Sequence, residues 1–224
     1  MMRSLALIAL IFALVLAACD DDDSDTNLPT DTPPAGAITP GSQTTPPAGT
    51  PVDFAQACQK STEKQWTEAP DLIIDTSKKY VATIKTSKGE ILVELYSDTP
   101  TTTNNFVFLA CTGYYDGLTF HRVVPDFVIQ GGDPTGSGSG GPGYTIPDED
   151  DPGHLMAEGV ISMAKGDPGT TGSQYFITIG LGSEGDLSYL DSGFTVFGTV
   201  TEGMDVAKQI AVSDVMESIT IAEQ

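Results

Sequence analysis

Between Leu72 and Ile221 the large apolar residues fall in short runs broken by glycine and proline, and this punctuation narrows the available folds more than any other feature. Runs of that length bounded by turn formers specify strands, since a helix needs a longer uninterrupted pattern to bury one face. The segments "YVATIKTS" and "EILVELY" flank Lys88-Gly89, a turn dipeptide that returns the chain as a hairpin. Further strands are expected at Leu118 to Val124, Phe127 to Gln130, Gly159 to Ala164, Gln174 to Ile179, Thr195 to Val200 and Glu217 to Ile221. Two segments read as helices. "TPTTTNNFVFLAC" offers Thr and Asn caps, sets Phe106, Leu109 and Ala110 at helical spacing and stops at Gly113; "EGMDVAKQIA" carries Met204, Ala207, Ile210 and Ala211 on one stripe. Eight strands and two helices without regular βα alternation predict a mainly β fold, an antiparallel barrel or sandwich with helices laid against it.

The chain before this region is of a different kind. Arg3, an apolar run from Leu5 to Val15 and then Leu16-Ala17-Ala18-Cys19 have the layout of a secretory signal over residues 1–19. A plain signal or an uncleaved anchor is the alternative, but the run is short for the ~20 residues of a membrane span. Its close, small residues ending on cysteine, resembles a bacterial lipoprotein signal, which implies lipidation of Cys19 and an extracytoplasmic domain anchored to a bacterial membrane. Residues 20–52 are rich in Asp, Thr, Pro and Gly and poor in large apolar groups, so they read as a disordered tether. Its clustered Asp20 to Asp23 lack the spacing of a metal loop and read as a solvated spacer. Residues 53–74 form an N-terminal extension in which "DFAQACQKSTEKQW" is expected to make a short helix, and 75–224 form the folded domain. With 31 acidic against 10 basic residues, a net charge of -21 excludes nucleic acid and an anionic bilayer face as partners. Once Cys19 carries lipid, Cys58 and Cys111 remain outside the reducing cytosol, either paired or as two free thiols.

Several familiar motifs do not survive their context. "GSGSGG" at Gly136 to Gly141 fits a nucleotide fingerprint formally, but Pro142-Gly143 follows where a helix should start, so it is a loop. His121 and His154 have no zinc-ligand spacing, and no serine sits in a nucleophile elbow. No metal and no cofactor are implied. What remains is three ordered blocks: "FHRVVPDFVIQGGD", "ISMAKG" with "GTTGSQYFIT", and "YLDSGFTVFG". Together they resemble the cyclophilin family of peptidyl-prolyl cis-trans isomerases from about Asp75 to the C-terminus. The resemblance implies an eight-stranded antiparallel β-barrel closed by two α-helices, acting on proline-containing polypeptides without a cofactor.

Such a site needs no nucleophile. A donor aimed at the prolyl nitrogen favours the twisted, deconjugated amide over the planar one, so its help is confined to the transition state. Arg122 suits that role, being permanently charged with a fixed fork of donors, and the resemblance makes Gln130 its partner. The proline ring, lacking N–H, needs an apolar cup. By resemblance Phe127, Val128, Phe176 and Leu190 form it, with Ala164, Lys165, Gln174 and Tyr189 as rim and groove. Tyr189 stands where many members have tryptophan, so the indole N–H is lost and binding of the immunosuppressant cyclosporin is expected to be weakened. Phe194 stands where they have histidine, which removes a polar edge contact and keeps the apolar surface. A proline-binding chaperone or scaffold without turnover is the alternative reading.

Overall fold

The computed structural model describes residues 54–150, 153–191 and 193–224. The signal, Cys19 and the tether lie outside the described residues. Eight strands form one antiparallel sheet: β1 (Tyr80–Thr86), β2 (Gly89–Leu95), β3 (Arg122–Val124), β4 (Val128–Gly131), β5 (Val160–Met163), β6 (Tyr175–Thr178), β7 (Val196–Glu202) and β8 (Met216–Glu223). Their order across the sheet is β3-β4-β6-β5-β7-β2-β1-β8. The helices are α1 (Phe54–Ala57), α2 (Pro100–Cys111) and α3 (Met204–Ala207), with a 3₁₀ turn at Ser188–Leu190.

Alternation puts Ala82, Ile84, Ile91, Val93, Ile129, Ile161, Ile177 and Phe197 on the concave face, where α2 adds Phe106, Val107, Leu109 and Ala110. The fold class and strand number agree with the sequence expectation; several boundaries do not. Strand Leu118 to Val124 is reduced to its last three residues, because Leu118 and Phe120 bond sideways to the chain entering β8: Met216 N–H donates to Leu118 O at 2.8 Å and Phe120 N–H to Asp214 O at 3.0 Å. Those bonds join the two edges and curl the sheet towards a barrel. The second helix keeps a single turn, since β7 runs on to Glu202 and the Asp214 carboxylate draws the Ala211 amide into a turn at 2.7 Å.

The start of α2 is also capped otherwise than expected. Thr99 makes no side-chain cap; the Glu149 carboxylate instead accepts the Thr101 and Thr102 amides at 3.0 and 2.8 Å. A carboxylate there satisfies two orphan donors and complements the helix dipole. Asn104 and Asn105, freed from capping, turn inward. Asn104 accepts the Ile73 and Ile74 amides, and Asn105 donates to Gly172 O at 2.8 Å while accepting from the Tyr144 hydroxyl at 2.7 Å. Among the described residues of the extension only Phe54–Ala57 is helical, and Cys58 is disulfide-bonded to Cys111 at the end of α2, with Cα atoms 4.4 Å apart.

Candidate active site

Because neighbouring strands pair in register, five residues form one row across the convex face: Arg122, Gln130, Phe176, Ser162 and Val196. Period two then places Val124, Val128, Thr178 and Val160 on that same face, while Val123, Ile129, Ile177 and Ile161 point into the core. Over the middle of the row lies a second apolar cluster, Val128, Met156, Val160, Phe176, Leu187 and Val196, with Tyr96, Val124, Phe127, Ala164, Leu190 and Phe194 packed against it. It assembles all four residues expected to form the cup, Phe127, Val128, Phe176 and Leu190. Phe176 is nearly buried, at 6%, and meets Phe194 edge-on with ring centroids 5.5 Å apart. Phe127 is delivered by the turn Val124-Pro125-Asp126-Phe127, with Pro125 at the second position and Asp126 at φ 57° at the third.

A polar line runs beside this cup. Arg122 is exposed at the open edge of β3 and donates from Nη1 to Gln130 Oε1 at 3.3 Å. Gln130 Nε2 donates to Gln174 Oε1 at 3.1 Å, and Gln174 Nε2 to Gly140 O at 2.9 Å. Arg122 enters none of the ion pairs among the described residues, so its charge is available to a ligand. Its neighbour His121 has both ring nitrogens shut off from solvent. Burial pushes the His121 pKa down; Asp133 pulls it up, Arg122 down again and Gln174 up. The net shift is downward, which favours the neutral imidazole beside the guanidinium.

Gly140 ends a loop that one buried carboxylate organises. Asp133 Oδ1 accepts the Thr135 amide and hydroxyl at 2.7 and 2.8 Å, and Oδ2 accepts the Gly138 amide at 2.5 Å. A Cβ at position 140 would fall 2.1 Å from Asp133 Oδ1, so this approach is open to glycine alone. Burial pushes the Asp133 carboxyl up, yet the donations from Thr135, Gly140 and Gly138 outweigh it and hold the pKa at about 2, below the ordinary 3.8. With the folded value depressed, the stabilisation is complete above 3.8 and is lost as pH falls through about 2. Asp133→Asn should therefore lower stability at neutral pH by about 1–3 kcal/mol and remove part of the acid limb of a stability-against-pH curve. Denaturant unfolding checks this; an unshifted midpoint would mean the loop is held by other contacts.

The opposite wall is set by Lys165. Its side chain is only 9% exposed, and Nζ donates to Asp148 and Asp150 at 2.9 and 2.8 Å. Asp148 also accepts the Thr171 hydroxyl at 2.5 Å, and Asp150 accepts that of Thr195 at 2.9 Å. The ammonium lies 6.0 Å from the Phe194 ring centroid. Lys165 thus ties three loops together, lining the cavity beside Ala164 with its charge engaged by the two carboxylates. Tyr189, a rim residue by resemblance, is 60% exposed and lies outside the apolar cluster. Between the two walls is a cavity of about 480 Å³ lined by Gln130, Gly140, Pro142, Ala164, Gly172 and Gln174, among others.

Sequence reasoning missed Asp133, the Asp148 and Asp150 pair, and the cup residues Met156, Leu187 and Val196. Val196 shares the row through β5 and β7, and only knowledge of that pairing could have singled it out. Met156 and Leu187 sit on loops, where no periodicity marks them.

A curled antiparallel sheet whose edge arginine and glutamine flank an apolar cup defines the cyclophilin class of fold and site. This chain belongs to the cyclophilin family: the family described as cyclophilin type peptidyl-prolyl cis-trans isomerase/CLD is matched over residues 81–223. Among curated relatives it is similar to a peptidyl-prolyl cis-trans isomerase of Helicobacter pylori, with 44% identity over 153 residues covering 66% of this chain and 90% of the relative. It is also similar to peptidyl-prolyl cis-trans isomerase B of Bacillus subtilis, with 46% identity over 135 residues, 59% of this chain and 91% of the relative. A cyclophilin type isomerase of Cryptosporidium parvum, crystallised in the presence of the dipeptide Ala-Pro, superposes with a TM-score of 0.58 at 30% identity, covering 64% of this chain and 99% of that one.

Proposed function

We propose that this chain is a peptidyl-prolyl cis-trans isomerase working on exported polypeptides from a lipid anchor at Cys19, with Arg122 as its catalytic donor. The observation that carries the reading is the row Arg122–Gln130–Phe176, which sets beside an apolar cup a guanidinium that enters no ion pair among the described residues. An Xaa-Pro bond resists rotation because the amide nitrogen shares its lone pair with the carbonyl, and uncatalysed exchange takes tens to hundreds of seconds. The cup takes the ring, the groove at Gln174 and Ala164 takes the flanking backbone, and the guanidinium meets the nitrogen as it pyramidalises. Proline recognition draws further support from the Cryptosporidium parvum relative, whose crystal structure is in the presence of the dipeptide Ala-Pro. Tyr189, standing clear of the apolar cluster, gives cyclosporin less wall to pack against, which weakens its binding.

The lipoprotein-like end and the acidic tether would place the domain near a membrane, where newly exported chains wait on slow prolyl bonds. Two measurements test the reading together. NMR exchange on an Ala-Ala-Pro-Phe peptide should show faster cis-trans exchange in the presence of the full chain, and Cys19→Ser should move the protein out of the membrane fraction. Peptide binding without faster exchange would instead assign a chaperone or scaffold role. A Cys19→Ser protein still held at the membrane would sink the anchor.

A further inference from the structure

The family match begins at residue 81, yet the segment before it builds part of the groove. From Cys58 the extension runs along the end of α2: the Ser61 amide donates to Thr112 O at 3.0 Å, Lys60 pairs with Asp116 at 2.6 Å, and Lys64 Nζ donates to Gly113 O and to Tyr114 O. The Trp66 ring then packs against Phe108 and Tyr114, with centroids 5.3 and 5.9 Å away. From that anchorage two donors reach the glycine-rich wall. The Trp66 amide donates to Pro142 O at 2.8 Å, and Gln65 Nε2 to Gly141 O at 2.7 Å. The fit is close: a Cβ on Gly143 would stand 2.4 Å from Trp66 O. On its other side Pro142 abuts Gly172, where an added Cβ would lie 3.1 Å from the proline ring, and Gly141, Pro142 and Gly172 all line the cavity beside Gln130 and Gln174.

We propose that the segment from Cys58 to Trp66, fastened by the Cys58–Cys111 disulfide, is a working part of the substrate groove, with Gln65 and Trp66 as positioning residues for the Gly141–Gly143 wall. The wall needs such a support because glycines lose the most backbone freedom on being fixed. Asp133 holds the near end of its loop and the extension holds the far end. A wall ordered in advance spares an incoming peptide that ordering cost, so its loss falls on affinity for residues flanking proline. The disulfide joins residues 53 apart in sequence and keeps the extension close, which makes groove affinity depend on the oxidation of the two cysteines.

The inference rests on the isomerase reading and is tested with a control for it. Exchange kinetics of the full chain are measured on Ala-Ala-Pro-Phe and on the dipeptide Ala-Pro, for the wild type, Gln65→Leu, Gln65→Lys and the Cys58→Ser/Cys111→Ser pair. For the longer peptide, Gln65→Leu and the cysteine pair should raise KM about three- to ten-fold, with KM and not kcat carrying the loss. Gln65→Lys, which keeps a donor, should restore the wild-type KM, and the dipeptide should not distinguish the proteins. If the cysteine pair fails to fold, Gln65→Leu and Gln65→Lys decide the matter alone. A wild type with no turnover would defeat the isomerase reading. An active wild type whose variants share its KM, lose kcat instead, or weaken equally towards both peptides would overturn the groove-wall role.

Discussion

Arg122→Ala should lower kcat/KM for Xaa-Pro exchange by about 10²–10³, the cost of removing one donor aimed at transition-state charge. The amide barrier is ~18–20 kcal/mol, and each ~1.4 kcal/mol of preference for the twisted state is worth a factor of ten. The fold itself should be indifferent to the change. Arg122 is exposed on the edge strand, and its hydrogen bond to Gln130 is long, at 3.3 Å. A surface contact of that kind contributes well under ~1 kcal/mol, so the unfolding midpoint should stay within error of the wild type. Arg122→Lys should recover only part of the rate, because an ammonium keeps the charge but not the planar fork. Line-shape or exchange NMR on a proline peptide, with denaturant unfolding alongside, reads both quantities. Equal rates in the wild type and Arg122→Ala would remove the guanidinium from the mechanism.

Phe176→Ala should do the reverse, losing stability and affinity together while turnover of bound peptide persists. The ring is 6% exposed in the middle of the cup, with Phe194 edge-on and the strands of Gln130 and Ser162 on either side. Emptying a buried phenylalanine site costs about 3–5 kcal/mol, and here the lower figure applies because the groove lets water reach the space. The proline ring loses its main apolar wall, so peptide Kd should rise by at least ten-fold for ~1.4 kcal/mol of lost burial. Phe176→Leu should return most of the stability and less of the affinity. Peptide titration and denaturant unfolding separate the two losses; a stable Phe176→Ala protein that binds peptide normally would place the proline elsewhere.

The contrast between these two residues shows what was legible in advance. Both lie in blocks whose resemblance to the cyclophilins is readable as text, and both belong to strands marked by short apolar runs. No periodicity sets Phe176 apart from Ile129 or Val123, however; the resemblance alone names it, and the pairing with Gln130 and Ser162 supplies the physical reason its ring faces the cup. Lys165 shows the opposite failure. Its position beside Ala164 was legible, but the Asp148 and Asp150 carboxylates that occupy its charge stand 17 and 15 residues away, with no local mark of their role.

Local chemistry alone accounts for the number of strands, the turn at Lys88-Gly89 and the mainly β class, because alternation and turn propensity act over a few neighbouring residues. The order β3-β4-β6-β5-β7, which lines up Arg122, Gln130 and Phe176, was decided by the folded chain. So were the Glu149 cap on α2, the Asp133 loop and the hold of Gln65 and Trp66 on the groove wall. Each joins groups through space, where burial strengthens a charge or a hydrogen bond, and no short-range pattern in a linear chain encodes which distant partner will be there to meet it.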